Sequence, residues 1–292
     1  MGRALEVIAG FATNPGAVLT TVTSSGGGSN VVRGTDTTKG TWLLSSWAFD
    51  ATAGELRITS PRLHDQAQCI RNRVTAALSS PLAPGFLNAG FAQRLYAQDN
   101  LTIQISGGGA ELDLAALLVG YDDLAGVAGR FIDQVTLRKN GVNILTAEVT
   151  VVAVATGLWG GAVAINSSFD TLIANTDYAL VGGMTDTRGL AVGITAVDFG
   201  NLRVAFPAEP TLRSLTQNWF QALSSAFEPP PGNTNAPYIP VFNSANKSTT
   251  LIDVTTNGAG GTYTINLELV QLAPNSVPAY VSPTQAGVQP GQ

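Results

Sequence analysis

Gly54-Glu55-Leu56-Arg57-Ile58, which follows Phe49-Asp50 and precedes Pro61, has a near copy later in the chain: Gly200-Asn201-Leu202-Arg203-Val204, which follows Val197-Asp198 and precedes Pro207. The alternation of apolar and polar residues in both copies predicts a strand. Each copy is followed by a stretch with helical spacing that ends in Ala-Leu-Ser-Ser, at residues 77–80 and 222–225. A strand-then-helix unit that occurs once in each half of the chain predicts two similar halves.

The two helical stretches share an apolar stripe at intervals of three and four residues, which predicts one buried face on each helix. The stripes consist of Leu63, Ala67, Ile70, Val74 and Leu78 in the first stretch, and of Leu212, Leu215, Trp219 and Leu223 in the second. Proline follows both stretches, at Pro81 and Pro229, and ends both predicted helices.

Each half is also predicted to end in a strand, a glycine-rich turn and a second strand. These strands lie around Ile103 and at residues 112–121 in the first half, and at residues 251–254 and 263–269 in the second. In this alignment Ile103 corresponds to Ile252, and Leu118-Val119 corresponds to Leu269-Val270.

The junction between the halves is predicted at residues 122–130. Shortly after it, Asn140-Gly141 stands between the apolar runs 135–138 and 142–145. Asn-Gly supplies both positive-φ positions of a type I′ turn, so this segment is predicted to be a β-hairpin.

Composition separates the possible classes of function. Charged residues make up 12% of the chain, against roughly 25% in typical soluble domains, while 45% of the residues are apolar. A surface built from Thr, Ser, Asn, Gln, Gly and Ala has little like-charge repulsion, which favours a protein that is buried in an assembly. The alternative is a secreted or thermostable β-protein with a hydroxyl-rich coat. The formal net charge of −5 argues against general nucleic-acid binding, although Arg71 and Arg73 leave room for a local basic patch.

Targeting signals are weak. Glu6 interrupts the first apolar run and only Arg3 precedes it, so the N-terminus does not match a secretory signal. Glu6 also stands where a myristoylation motif requires Ser or Thr. The apolar stretch 149–165 is shorter than the ~20 residues that a membrane helix needs and is broken by Gly157 and Gly160, which predicts two strands instead.

Histidine and cysteine are too scarce for the chemistry that they usually carry. His64 is the single histidine, which almost excludes His-based metal sites, and a Ser-His-Asp triad would have to use it without a G-x-S-x-G elbow. We interpret His64 as a surface or interface residue. The single cysteine, Cys69, excludes an intrachain disulfide and is interpreted as a small buried residue.

Paired carboxylates could serve a glycosidase, and the chain offers Glu111 with Asp113 and Asp122 with Asp123. The first pair begins a predicted strand and the second caps the junction, so a structural role is the better interpretation for both.

The remaining candidates are two aspartates and the tryptophans. Asp50 and Asp198 recur before a turn, where an Asp side chain bonds its own downstream backbone. Trp219 lies on a helical apolar stripe and is expected in the core, whereas Trp159, between glycines, is expected at a contact. Aromatic rings of this kind, which also include Trp42 and Trp47, could stack on a sugar. No catalytic, cofactor-binding or metal-binding residue is assigned, and no cofactor is expected.

These features predict an all-β fold with a few short helices, built as two tandem eight-stranded antiparallel jelly rolls, each with a helix before its last strand pair. Many short strands with Gly-, Asn- and Pro-rich turns favour this architecture over a parallel sheet. The predicted units are residues 1–124 and 125–274, followed by an extended or disordered C-terminal arm at 275–292.

Two such halves, each with a helix after the strand that ends in Leu-Arg-Ile or Leu-Arg-Val, resemble the double jelly-roll major capsid proteins of tailless icosahedral DNA viruses. The resemblance spans nearly the whole chain and concerns repeat spacing and element order. It implies that three chains form a pseudo-hexagonal trimer. The chain lacks the long inserted loops that build towers in larger members of that family, so little or no tower is expected.

The resulting hypothesis is a structural virion protein, a major capsid subunit in the capsid shell that is assembled in the host cytoplasm. Its expected partners are two further copies in a homotrimer, neighbouring capsomers, penton or minor capsid proteins and an inner membrane, with no sequence-specific nucleic acid. The alternatives are a carbohydrate- or receptor-binding tandem jelly roll, as a spike or secreted module, and a glycan hydrolase on the same fold.

Overall fold

The structure is a computed structural model that describes residues 4–26, 30–33, 40–49, 54–62, 70–74, 93–107, 112–122, 124, 127, 129–165, 172–226 and 238–277. Strands dominate these residues and form four antiparallel sheets. Two sheets use strands that end by residue 121 and two use strands that begin at or after residue 131, so each half of the chain builds its own pair.

The described strands of the first half are β1 (Ala4–Thr13), β2 (Thr20–Thr21), β3 (Thr23–Ser24), β4 (Thr41–Phe49), β5 (Gly54–Thr59), β6 (Ile70–Val74), β7 (Gln93–Leu95), β8 (Thr102–Ser106) and β9 (Leu112–Tyr121). Apart from β3, which adds to an edge, they form the sheets β1-β9-β4-β7 and β2-β8-β5-β6. Counted along the chain, these orders are first-eighth-third-sixth and second-seventh-fourth-fifth. Two facing antiparallel sheets with this order make a jelly roll.

The described strands of the second half are β10 (Phe131–Ile132), β11 (Gly141–Val152), β12 (Gly160–Ala164), β13 (Asp177–Thr185), β14 (Ala191–Thr195), β15 (Arg203–Pro207), β16 (Ile239–Asn243), β17 (Leu251–Thr255) and β18 (Thr262–Leu272). Its helices are α1 (Gln134–Asn140), α2 (Arg213–Thr216) and α3 (Trp219–Ala226), with short 3-10 helices at Val197–Phe199, Pro210–Leu212 and Ser244–Asn246. Apart from β10, the sheets β11-β18-β13-β16 and β12-β17-β14-β15 repeat the strand order of the first half. The predicted all-β fold of two tandem jelly rolls is confirmed.

The two rolls share irregularities as well as strand order. Each third strand carries a β-bulge where it pairs with the last strand of its roll, between Leu43 and Ser45 on β4 and between Leu180 and Gly182 on β13. A bulge pins the register of a strand pair. The ladders therefore give a residue-by-residue equivalence between the halves.

This equivalence shows that the alignment on the duplicated Leu-Arg stretch is wrong. Ile58 pairs with Ile103 as Ile194 pairs with Ile252, so β5 is equivalent to β14. Val204 lies on the next strand, β15. The two copies look alike because strands with one buried face share the same alternation of apolar and polar residues, whichever position they hold in the sheet.

The alignment of the closing strands is correct in its strands and wrong by one residue in the last of them. Val119 pairs with Leu43, and Leu269 pairs with Leu180, immediately before the shared bulge. Leu269 is therefore equivalent to Val119 and not to Leu118. A shift of one residue reverses the face to which a side chain points.

The helix predicted over residues 63–78 is wrong where the structure describes that stretch. Residues 70–74 form β6, which pairs antiparallel with β5 from Ile58 opposite Ile70 to Gly54 opposite Val74. Spacing by three and four could not distinguish this strand, because pairing with a neighbouring strand overrides local periodicity. The other residues of the predicted helix lie outside the described part of the chain.

The predicted hairpin at Asn140-Gly141 is also wrong, because its first arm is the helix α1. Asp133 caps α1, its Oδ1 accepting a hydrogen bond from the Thr136 backbone N–H at 2.6 Å. Gly141 follows as the first residue after the helix with φ −68°, and its N–H donates to the Leu137 carbonyl. An Asp before and a Gly after a short segment are the signals of a capped helix, and they outweigh the turn propensity of Asn-Gly.

The predicted helix of the second half is present, divided into α2 and α3, and it lies between the fifth and sixth strands of its roll. Trp219 is fully buried, as its place on the apolar stripe indicates. Gly182 lets α2 lie directly on β13, since a Cβ at this position would lie 2.2 Å from the Thr216 carbonyl oxygen.

The sheet β3-β1-β9-β4-β7 is buried on both faces. Alternate residues of its long strands point into the first roll and pack against the facing sheet, among them Ile8, Leu43, Leu117 and Val119. The intervening residues point outward and belong to the core of the second half, among them Leu5, Val7, Trp47 and Leu118. One sheet therefore serves two hydrophobic cores.

The second half covers this outward face with residues from several elements, and we call the contact between the halves the seam. It joins the outward residues of β1, β4 and β9 to Leu190, Ala205, Trp219 and Tyr238. β15 runs alongside β1. Trp47 Nε1 donates a hydrogen bond to the Leu190 carbonyl at 2.9 Å, and its ring meets the Trp219 ring edge-on with centroids 5.7 Å apart.

We predict that Trp47→Ala lowers the free energy of unfolding by about 3–5 kcal/mol, because it opens a cavity in the seam and removes one of the two hydrogen bonds that the Leu190 carbonyl accepts. Urea denaturation followed by circular dichroism measures this change. Val18→Ala is the control, since Val18 is 72% exposed and its truncation should change stability by less than about 0.5 kcal/mol. A similar small effect for both variants would contradict the structural role of Trp47.

Candidate functional site

A buried ionic network lies at the junction between the halves, centred on Arg130. The Arg130 guanidinium donates two hydrogen bonds to the Asp177 carboxylate, at 2.8 and 2.6 Å, and lies 3.5 Å from Asp198. Asn243 Nδ2 donates to Asp177 at 2.8 Å, and Asn246 Nδ2 donates to Asp198 at 2.9 Å. The side chains of the three ions are only 8–15% exposed.

This network attaches the segment that joins the halves to the second roll. Burial alone would lower the pKa of Arg130, but the hydrogen bonds and charges of Asp177 and Asp198 outweigh it and raise the pKa. The Arg130 backbone N–H donates to the Asp198 carbonyl at 2.7 Å, and its carbonyl accepts from the Val241 N–H at 2.8 Å. Both carboxylates are engaged by hydrogen-bond donors, so the arrangement is suited to holding elements together and not to acid–base chemistry.

Asp198 does not act as the turn residue that the sequence predicted. Its carboxylate accepts hydrogen bonds from the backbone N–H of Asn243, the last residue of β16, at 3.1 Å and from the side chain of Asn246 in the 3-10 helix that follows, and not from its own downstream backbone. Asp50, its proposed counterpart, lies outside the described residues.

A second cluster lies beside the seam, on the outward side of β14, β15 and β17. Arg203 Nη2 donates to Asp253 Oδ2 at 2.7 Å, and the guanidinium carbon lies 4.6 Å from the centroid of the Trp159 ring. The backbone N–H of Trp159 donates to the Ser25 carbonyl of the first half at 3.3 Å. Trp159 thus lies at a contact, but the contact is with the chain's own first half.

Asp253 is the acid of this second cluster, and its pKa is raised. Its burial raises the pKa to about 6, although the charge of Arg203 acts in the opposite direction. Asp253 Oδ1 is buried and has no hydrogen-bond partner among the described residues. Gly193 lies directly beside this oxygen, since a Cβ there would lie 2.4 Å away. The ion pair is therefore poorly solvated on one side.

The other sequence candidates are dispersed. His64, Cys69, Glu111 and Asp123 lie outside the described residues. Asp113 is buried within β9, while Asp122 Oδ2 accepts a hydrogen bond from Trp42 Nε1 at 3.2 Å. The described members of the two proposed carboxylate pairs thus have separate surroundings.

The sequence singled out Asp198, Arg203 and Trp159 but did not connect them to Arg130, Asp177 or Asp253. These partners come from strands and loops that are far apart in the chain. Among the described residues, no three His, Cys, Asp or Glu side chains are grouped so that they could hold a metal ion. Within the same residues, no helix is both long and apolar enough to cross a membrane.

Comparison with known proteins gives weak similarities only. No family model matches the chain, and no curated protein matches it. Among solved structures, the STIV major capsid protein is similar with a TM-score of 0.18 and 8% identity, over 92% of this chain and 88% of that one. A peptide-N(4)-(N-acetyl-β-D-glucosaminyl) asparagine amidase is similar with a TM-score of 0.16 and 11% identity, over 94% and 93% of the two chains. At these TM-scores neither similarity bears on function, and the conclusions below rest on the geometry of the chain itself.

We predict that Arg130→Met lowers the free energy of unfolding by about 3–5 kcal/mol, because it leaves two buried carboxylates without their cation. Arg130→Lys should be intermediate, since it keeps the charge but cannot bind Asp177 through two parallel hydrogen bonds. Urea denaturation gives both values. Arg138→Met on the exposed face of α1 is the matched control and should have little effect. Equal effects at the two arginines would contradict the role of the network.

The raised pKa of Asp253 predicts a pH dependence with a definite sign. The folded chain binds this proton more tightly than the unfolded chain, so the stabilisation is fully present below the ordinary pKa of 3.8 and is lost as the pH rises through 6. Between pH 7 and pH 4, wild-type stability should therefore rise by about 1–3 kcal/mol relative to Asp253→Asn.

Denaturation of both proteins at several pH values measures this difference, in which the other titrations cancel. Asp186→Asn is a control of opposite sign. At Asp186 the small effect of burial is outweighed by hydrogen bonds from Thr264 and Thr187, which lower the pKa. A difference between wild type and Asp253→Asn that does not vary with pH would contradict the assignment.

Proposed function

We propose that this chain is a structural subunit of a viral capsid, and that three copies associate into a pseudo-hexagonal trimer that tiles an icosahedral shell. The observation that carries this proposal is the seam. It joins two rolls of the same topology through unlike surfaces: the outward face of β1, β4 and β9 on one side, and β15 with its neighbouring segments on the other. The proposal extends this contact from one chain to the next.

A contact between unlike surfaces can be repeated, because each roll keeps one surface of each kind. In such a head-to-tail arrangement the repeats form a closed ring if the rotation between neighbours closes. Two rolls per chain then give six similar positions for three chains. A chain with two similar jelly rolls is therefore suited to occupy two of the six positions.

The surface and the described polar groups support an assembly role over catalysis. The low share of charged residues leaves little repulsion between copies. The ionic clusters around Arg130 and Arg203 hold elements of the chain together. We therefore propose that the protein is not an enzyme and that it resides in the virion.

The division of the chain follows from the same proposal. We place the boundary between the rolls at residues 124 and 125. We assign residues 275–292 as an arm that starts on the second roll, where Val277 is buried, and then contacts a neighbouring subunit or an inner layer of the particle. Penton or minor capsid proteins remain expected partners.

Light scattering of the purified full chain tests the proposal. We expect a particle of three times the mass of the chain, and electron microscopy of it should show a hexagonal outline with six barrel-like densities. A chain that stays monomeric at the highest concentration reached would overturn the proposed function.

A further inference from the structure

The outward faces of the two rolls are equivalent in structure but opposite in chemistry. The ladders place Ala9 opposite Ala116 in the first roll and Glu148 opposite Asn266 in the second. Leu118 precedes Val119 and Glu268 precedes Leu269, and Val119 and Leu269 are the equivalent residues next to the shared bulge. Leu118 is therefore equivalent to Glu268. Apolar positions that the seam covers in the first roll thus carry carboxylates in the second.

We call the outward positions of β11 and β18 the acidic face. Neither strand contains a Lys or an Arg. Glu148 and Glu268 are diagonal neighbours across the strand pair, and neither forms an ion pair with the described residues. Ile144 and Val152 flank them on β11, with 71% and 48% of their surfaces exposed. The acidic face thus has two carboxylates at its centre and an apolar side chain at each end, and its negative charge suits a cationic partner.

The surface equivalent to the one that β15 contributes to the seam lies on β5 and β6 of the first roll, and we call it the arginine face. Arg57 pairs with Arg71 in the first roll, and Gly193 pairs with Ala205 in the second. Arg57 is therefore equivalent to Gly193, and Arg71 to Ala205. Ala205 is fully buried in the seam, whereas the Arg71 side chain is 54% exposed and lies 3.2 Å from Glu55. By register, Arg73 stands opposite Glu55 in the same row, so these four positions hold three arginines and one glutamate, with a formal charge of +2.

We infer that the acidic face receives the arginine face of a second copy of this chain, so that β6 of one copy lies along β11 of the next as β15 lies along β1 within the chain. This inference rests on the proposed function and names the surfaces through which the trimer forms. Opposite charges at equivalent positions supply the specificity of the contact. The surfaces that pair within the chain are apolar or small, whereas the acidic face and the arginine face are polar and opposite in charge.

Charge reversal on each face tests this pairing. Variant X carries Glu148→Lys and Glu268→Lys, and variant Y carries Arg57→Glu and Arg71→Glu. Variant Z carries all four substitutions and therefore keeps the net charge of the wild type. Circular dichroism checks that each variant folds, and analytical ultracentrifugation measures its association.

We expect X and Y each to associate at least about tenfold more weakly than wild type, because each places like charges across the contact. Z should recover most of the association, since its two faces are complementary again. An equimolar mixture of X and Y should form pairs but no closed trimer, because an odd ring forces one like-charge contact. Recovery in Z cannot be explained by net charge or by a general loss of stability.

Two results would overturn the inference. If wild type forms trimers and folded X and Y form them equally well, the surfaces are wrong while the proposed function stands. If folded Z associates as weakly as X and Y, the two faces do not meet each other. A monomeric wild type would overturn both the surfaces and the function. Where X or Y fails to fold, Glu148→Gln with Glu268→Gln replaces X, and unchanged salt dependence of its association would count against the acidic face.

Discussion

The double burial of one sheet holds the molecule together. The sheet β3-β1-β9-β4-β7 gives alternate residues to two cores, so a residue on either face has to be apolar or have a polar partner. Glu6 shows how this condition is met on β1. Its carboxylate lies 2.6 Å from Arg33 Nε and accepts a hydrogen bond from the Tyr121 hydroxyl, and burial raises its pKa despite both partners. Separating the rolls would expose Trp47 and its neighbours, so the two halves depend on each other for stability.

The same double burial limits what the sequence can predict. Strands with one solvent-exposed face, such as β5 and β18, alternate apolar and polar residues, so the sequence predicts them correctly. The fold class follows from these strands. β1 is buried on both sides and is apolar on both faces apart from Glu6, which hides its period of two. The ionic clusters could not be predicted for a different reason. Arg130 contacts Asp177 and Asp198 only when the segment that joins the halves lies against the second roll. Long-range packing creates these contacts, and no local pattern encodes them.

One outward face is apolar and is buried as the chain folds, whereas the other is charged and is suited to a contact that forms after folding. An apolar seam forms as the chain folds, because its residues have no stable alternative in water. A face with Glu148 and Glu268 can remain exposed without driving non-specific collapse, and it still discriminates among partners through charge. Duplication of one roll would have produced two identical faces. Their divergence makes one contact part of the fold, and it gives the other the charged surface on which the proposed contact with another copy depends.

The size of the side chains leads to the same distinction. Ala205 is small and fully buried where β15 lies along β1, and Gly193 leaves room for the Asp253 carboxylate and the Trp159 ring. Arg57 and Arg71 stand at the equivalent positions, and their long side chains require more space and keep their charged groups hydrated. A contact made through them is wider and wetter than the seam, and ion pairs at its exposed edge add little net free energy. Such a contact dissociates and re-forms more readily. In the proposed capsid role, this reversibility would let subunits correct their positions while the shell assembles.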